Sequence, residues 1–342
     1  MNTLPDVELC FPQLLNTSCR KPLQKHAENM FINLLLSCIS LFTVALNLLV
    51  IISISHFRQL HTPTNLFLLS LAVSDFLVGL LLMPIRILLT GGCWVLGSFM
   101  CGVFHLFSYT LTSASVGNMV LISADRYVAI CDPLHYQTKV TNMRVQICVC
   151  VWICSVCYNG VILKDFLKHP DRYNSCVGEC VLVTDFFTGV FDVILTFIGP
   201  ITVIIVLYMR VFLVAVSQAR AMRCHIASVT LRGSVPVTAK KSERKAATAL
   251  GVVVLVFLIC FCPYFYPSLA GHDLFSTETF SVFASWLLYS NSCLNPIIYV
   301  LFYPWFRQAV KLIFTHLILH SESCKRQILL RNFTALGGCM LE

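Results

Sequence analysis

The chain has 342 residues, 57% apolar and only 12% charged, with a mean hydropathy of +0.80 and a formal charge of +8. A water-soluble globule carries about 25% charged residues, so these figures exclude water as the main solvent. The basic excess matters less than its distribution along the chain.

Apolar stretches of membrane-crossing length recur seven times, near 30–56, 63–90, 98–131, 143–165, 185–218, 239–270 and 276–301. About 20 residues rising ~1.5 Å each suffice to cross the ~30 Å hydrocarbon core. The sequence therefore predicts an all-α membrane protein. A polar N-terminus over 1–29 leads into a seven-transmembrane helix bundle over 30–301, then a short amphipathic helix eight and tail over 302–342. The N-terminal segment lacks the apolar core of a signal peptide, so the first membrane helix itself has to target the chain.

Most Lys and Arg fall on the side that holds the loop between spans five and six, with Arg220, Arg223, Arg232, Lys240, Lys241, Arg244 and Lys245. Asp6, Glu8, Asp165, Asp171, Glu179, Asp273 and Glu278 lie on the other side. Positive charge stays in the cytosol, which predicts an extracellular N-terminus and a multi-pass protein in the lipid bilayer of the plasma membrane. The basic loop then reads as topology and attraction to lipid headgroups, with no nucleic acid among the partners.

Taken in chain order, the N-terminus holds Cys10, Cys19 and the sequon Asn16-Thr17-Ser18, a glycosylation acceptor on the outer side. A second sequon, Asn332-Phe333-Thr334, falls in the cytosol. Span one carries Asn47 and span two Asp75. A carboxylate at mid-membrane costs roughly 2.5–3.5 kcal/mol, so Asp75 has to face the bundle. Ser115, Asn291, Ser292 and Asn295 supply candidate partners. That cluster reads both as polar glue between helices and as a small-cation (sodium) site that opposes activation.

Cys93, Cys101, Cys176 and Cys180 join Cys10 and Cys19 on the outer side. Six cysteines in an oxidising compartment allow three bridges and 15 connectivities. The cysteines inside helices, such as Cys150 and Cys260, behave as small hydrophobes. Span three ends in Asp125-Arg126-Tyr127; span four holds Trp152, span five Pro200, span six Pro263 and span seven Pro296. Each proline removes a helical hydrogen bond and favours a kink.

Arg126 cannot lose its charge and needs an anion near the membrane edge. Asp125 adjoins it, and Glu243 opens span six. An Arg126–Glu243 pair clamps spans three and six; breaking it frees Arg126 for a partner protein, with Tyr208 and Tyr299 meeting in the space created. After Asn295-Pro296-Ile297-Ile298-Tyr299, the stretch from Tyr303 to Phe314 alternates aromatic and basic residues, as an interfacial helix does. Cys324 beyond it is a candidate palmitoylation site. These signatures, in order, point to a seven-helix receptor that activates G proteins.

Asn47, Asp75, Asp125-Arg126-Tyr127, Trp152, Pro200, Pro263 and Asn295-Pro296-Ile297-Ile298-Tyr299 resemble the rhodopsin-like G-protein-coupled receptors over about 30–315. Within them, the run from Asn291 to Tyr299 followed by Phe302-Tyr303-Pro304-Trp305-Phe306-Arg307 is similar to the trace amine-associated receptors. Cys131-Asp132-Pro133-Leu134-His135-Tyr136 and Cys176-Val177-Gly178-Glu179-Cys180 support that branch. The resemblance implies an olfactory-type detector of amines, a stimulatory G protein as partner, and cyclic AMP as output. Three residues depart from the pattern: Ser108 replaces the ammonium-binding aspartate, Phe261 the tryptophan toggle, and Leu46 a glycine.

An alkylammonium in a dry pocket needs a compensating carboxylate. With Ser108 unable to serve, the candidates are Asp192, about 10 Å along span five, and Asp185 nearer the surface as an outer stop. A fish-rich branch of the resembling receptors moves its amine anchor to the position of Asp192. Tyr109, Phe261, Tyr264, Phe265 and Tyr289 offer cation–π attraction and apolar walls. Thr112 and Thr196, one turn deeper than Ser108 and Asp192, are placed to bind a hydroxyl or a second amine. A Cys101–Cys180 bridge pins the second outer loop over this pocket. The resemblance further implies a bond from the N-terminus to Cys176, with Cys10 preferred over Cys19.

A transporter or channel also fits a polytopic chain, but it calls for internal repeats or paired broken segments, which the sequence lacks. An enzyme calls for a metal cluster, a nucleophile–base arrangement or a phosphate loop, and none appears in its required context. The sequence thus predicts a receptor without catalytic activity or cofactor.

Overall fold

A computed structural model of the chain describes residues 8–20, 26–89, 93–131, 141–229, 251–266, 278–302 and 304–318. Helix α1 is His26–His56. Helix α2 runs from Pro63 to Leu89 through a π-helical turn at Val78–Leu82. Helix α3 is Gly97–Cys131 and α4 Thr141–Ile162. Helix α5 begins at Phe186, passes a π turn at Ile194–Ile198, and continues over Gly199–Val229. Helix α6 is Gly251–Tyr266, α7 Glu278–Phe302 and α8 Pro304–Ile318. Among the described residues there are no strands, only isolated bridges at Leu9–Arg20 and Ser18–Val177.

The helices form where apolar sequence leaves the backbone no water to bond, so its polar groups bond within the segment. Among the described residues, five helices, α1 to α5, are long and apolar enough to cross a membrane, and Gly251–Tyr266 is a shorter apolar helix. Start signals are local. Thr62 caps α2, its side chain accepting from the Asn65 amide with Pro63 at the first turn. The irregularity expected of Pro200 is a π turn just before it, at Ile194–Ile198, two residues beyond Asp192. Pro296 lies inside α7.

Helix α3 is central, packing on α2, α4 and α5, while α1 and α2 pack on α7. Phe42, Ile153, Val206 and Ile259 stand exposed on the outside, whereas Asn47, Asp75, Asn118 and Asn291 are buried. Apolar groups outside and polar groups inside fit a protein solvated by lipid. Interhelical bonds follow this pattern: Trp152 donates to Ser70 at 3.0 Å and Asn159 to Ser113 at 3.0 Å. Residues 303–342 form a separate compact unit, of which α8 is the described part.

Three disulfides gather at one end of the bundle. Cys101, at the start of α3, bonds Cys180, as the sequence predicts. Cys19, rather than the preferred Cys10, bonds Cys176, and Cys10 bonds Cys93. Backbone pairing decides between them. Cys19 N–H donates to Val177 and Val177 N–H to Thr17, which seats Cys19 beside Cys176. Gly178 has φ +110°, and a Cβ there would approach the Cβ of Cys10 to 3.0 Å; glycine is required by both conformation and space. Trp94 N–H donates to the Gly178 carbonyl at 2.7 Å, tying the third segment in.

Candidate ligand site and switch

A cavity of about 70 Å³ lies between α2, α3, α5, α6 and α7. Its walls include eight of the predicted ligand residues: Ser108, Tyr109, Thr112, Asp192, Thr196, Tyr264, Phe265 and Tyr289. Asp192 is the one carboxylate among the described lining residues and is 9% exposed. Tyr158 on α4 donates to its Oδ1 at 3.0 Å. Tyr158 is not part of the cavity wall, so it supports the carboxylate from behind. Sequence reasoning missed this residue; its only signal was a phenol within an otherwise apolar span, and a buried phenol needs a partner. Thr196 does not offer its hydroxyl to the cavity outright but donates it to the Asp192 carbonyl at 2.6 Å. Across the cavity, Ser108 and Tyr289 share a hydrogen bond of 3.1 Å, joining α3 to α7 where the family pattern has an aspartate.

Two predicted ligand residues lie elsewhere. Asp185 is no outer stop of this cavity: it caps α5, its carboxylate accepting from the Thr188 amide at 3.0 Å and the Thr188 hydroxyl at 2.7 Å. The amide and then the hydroxyl hold this exposed carboxyl below the usual carboxylate range. Phe261 is buried and absent from the lining. It stacks between Phe257, with ring centroids 4.1 Å apart, and Phe265 at 6.4 Å. Phe265 in turn stacks on Phe197 of α5 at 4.9 Å. The rotor position therefore touches the cavity only through Phe265.

At mid-bundle, Asp75 accepts from Ser292 and Asn295 at 2.8 Å each and from Ser115 at 3.3 Å. Ser115 also bonds Ser74, and Asn47 donates to the Ser292 carbonyl. Asn291, predicted in the same set, does not bond Asp75; its side-chain oxygen is buried without a hydrogen-bond partner. The arrangement brings α2, α3 and α7 onto one carboxylate, with an unused oxygen donor nearby in the same helix turn as Ser292.

At the end away from the disulfides, Asp125 is buried, and its contacts include two arginines and a hydroxyl. Arg144 of α4 pairs with Oδ1 at 2.9 Å, Thr64 of α2 donates to Oδ2 at 2.7 Å, and Arg126 stands 3.7 Å from Oδ2. Arg144 was not foreseen; it is a basic residue at the start of an apolar span, which topology alone seemed to explain. Tyr127 is half-buried beside them. Glu243, the expected partner of Arg126, lies outside the described residues, as does the side chain of Tyr299. Tyr208 reaches α6: a Cβ at Gly251 would meet its hydroxyl at 2.5 Å, so the missing side chain admits the phenol. Asn16, the sequon residue, is exposed.

Comparison with known proteins places this architecture. Residues 46–299 match the family model of the 7 transmembrane receptor (rhodopsin family). The chain is 38% identical over 330 residues to trace amine-associated receptor 13c of Danio rerio, covering 92% of this chain and 94% of that one. It is 37% identical to trace amine-associated receptor 6 of Pan troglodytes, covering 93% and 94%. It is also 37% identical to trace amine-associated receptor 1 of Mus musculus, covering 86% and 92%. These proteins are receptors and not enzymes. The chain belongs to the rhodopsin family of seven-transmembrane, G-protein-coupled receptors, and within it to the trace amine-associated receptors.

Proposed function

We propose that this receptor senses an amine at the plasma membrane, with its disulfide-bearing end and glycosylated Asn16 outside. The ammonium pairs with Asp192, the only carboxylate among the described cavity-lining residues; that observation carries the reading. A buried cation without a counter-charge is penalised by several kcal/mol, and the hydroxyl pair of Ser108 and Tyr289 supplies none. Aromatic faces of Tyr109, Tyr264 and Phe265 add cation–π attraction of about 0.5–2 kcal/mol. The name of the trace amine relatives supports the same class of ligand.

Activation is a population shift. Bound amine favours a state in which α6 moves outward and Arg126 leaves its anionic neighbours for a stimulatory G protein, raising cyclic AMP in an olfactory-type cell. The phenylalanine stack from Phe265 through Phe261 to Phe257 links the cavity to the middle of α6. Asp125, Tyr127, Tyr208, Glu243, Asn295, Pro296 and Tyr299 serve this switch. Asp75 and its partners hold sodium in the resting state. Cyclic AMP measured against an amine panel tests the reading. Asp192→Asn should abolish the response, and Ser108→Asp should restore part of it in that background. An unchanged response in Asp192→Asn would leave Asp192 a structural acid bonded to Tyr158 and the ligand a non-amine.

A further inference from the structure

The cavity that holds Asp192 also holds a cation. Arg86, in the last turn of α2, lines the same walls. A guanidinium keeps its charge at any physiological pH, so its surroundings have to answer that charge. Its hydrogen-bond partner is the neutral Ser285 hydroxyl, 3.3 Å from one terminal nitrogen. Its Nε is buried without a hydrogen-bond partner. No carboxylate forms an ion pair with it among the described residues. His105, Tyr264 and Tyr289 line the same cavity, and none of these side-chain types is ordinarily an anion at neutral pH.

Among the described lining residues, one carboxylate and one guanidinium therefore share a single narrow cavity without forming an ion pair. A ligand bearing only an ammonium answers Asp192 and leaves Arg86 unanswered. A diamine is worse, because its second ammonium enters a cavity already occupied by a guanidinium, and like charges in a poorly screened site repel. A molecule with an ammonium at one end and an oxyanion at the other satisfies both. Arginine suits the second task, since its planar fork presents paired N–H donors to the two oxygens of a carboxylate.

We propose that the ligand is a zwitterion of the ω-amino acid class, its ammonium on Asp192 and its carboxylate or equivalent oxyanion on Arg86. This rests on the amine reading above and narrows it. The orphaned Nε of Arg86 is the donor that such a carboxylate completes.

The test uses the full chain, purified in detergent, with binding read as thermal stabilisation and checked by cyclic AMP in cells whose surface receptor is labelled. The probes are γ-aminobutyrate, δ-aminovalerate and ε-aminocaproate, against butylamine, pentylamine and hexylamine, and against putrescine and cadaverine. Wild-type receptor should prefer at least one amino acid over its matching monoamine, and every monoamine over the diamine of the same length. Arg86→Gln should lose about ten- to hundredfold in affinity for the amino acid while monoamine affinity holds or rises; Arg86→Lys should recover part of the loss. The proposal is overturned if no amino acid binds at any chain length, if diamines outrank monoamines, or if Arg86→Gln leaves the amino-acid-to-monoamine ratio unchanged. The wild-type ranking decides the matter even where Arg86→Gln fails to reach the surface. Asp192→Asn separates the two readings: monoamine binding that survives it refutes the anchor, whereas a monoamine response lost there with no role for Arg86 refutes only the zwitterion.

Discussion

Tyr158 on α4 donates a 3.0 Å hydrogen bond to Asp192 on α5, from outside the cavity that Asp192 lines. The bond joins two successive helices and engages one carboxylate oxygen, Oδ1. Under the amine reading proposed above, Tyr158 would position the anchor.

Replacing Tyr158 with phenylalanine should raise the half-maximal concentration of an amine agonist about three- to tenfold, part of the ~1.5–3 kcal/mol that a bond to a charged group is worth. The maximal response should hold, since the cavity wall itself is untouched. Concentration–response curves at matched surface expression check this, and an unaltered midpoint would sink the positioning role.

Asp185→Asn should leave the amine midpoint where it is, because asparagine still caps a helix and Asp185 does not reach the cavity. Asp185→Ala, which removes the acceptors for Thr188, should instead lower the amount of receptor at the surface by fraying the start of α5. A shifted agonist midpoint in the Asn variant would return Asp185 to the entry path.

Arg144→Met should destabilise the receptor more than Thr64→Val. Removing one partner of a buried ion pair costs about 3–5 kcal/mol, and the lower end applies because Arg126 and Thr64 still face Asp125. Losing the Thr64 hydroxyl costs about 1 kcal/mol. Thermal midpoints of the purified variants give the order; equal midpoints would mean that Arg126 fully replaces Arg144.

Replacing potassium with sodium at constant ionic strength should weaken agonist binding to the wild type and leave Asp75→Asn indifferent. Ser115, Ser292 and Asn295 all bond Asp75, so a cation that takes its charge holds α2, α3 and α7 together in the resting arrangement. Agonist affinity that tracks sodium equally in both proteins would remove the cation from this cluster.

The spans were legible because each is a long apolar run, and hydrocarbon accepts only segments that bond their own backbone. Polar residues inside those runs were equally legible as inward-facing: Asp75 found three of its four expected partners, and Asp192 reached the cavity. Asp185 misled because spacing puts it on nearly the same helical face as Asp192, while its position at the first turn lets the local backbone claim its oxygens first. Resemblance favours Cys10 over Cys19 as the partner of Cys176, yet both precede the bundle in a polar segment and Cys19 makes the bond. Their choice depends on how residues 17–19 pair with Val177, a contact between segments far apart in sequence.

The sequence by itself determined that the chain threads a bilayer as helices and where charge had to hide, since transfer of backbone and side chain into lipid is a property of each segment alone. Only the tertiary structure decided what each hidden charge meets: Tyr158 behind Asp192, Arg144 beside Asp125, and Arg86 facing into the cavity of Asp192. Those pairings are set by the rotation and depth of one helix against another. Packing of side chains many residues apart fixes both, and no local run of sequence encodes it.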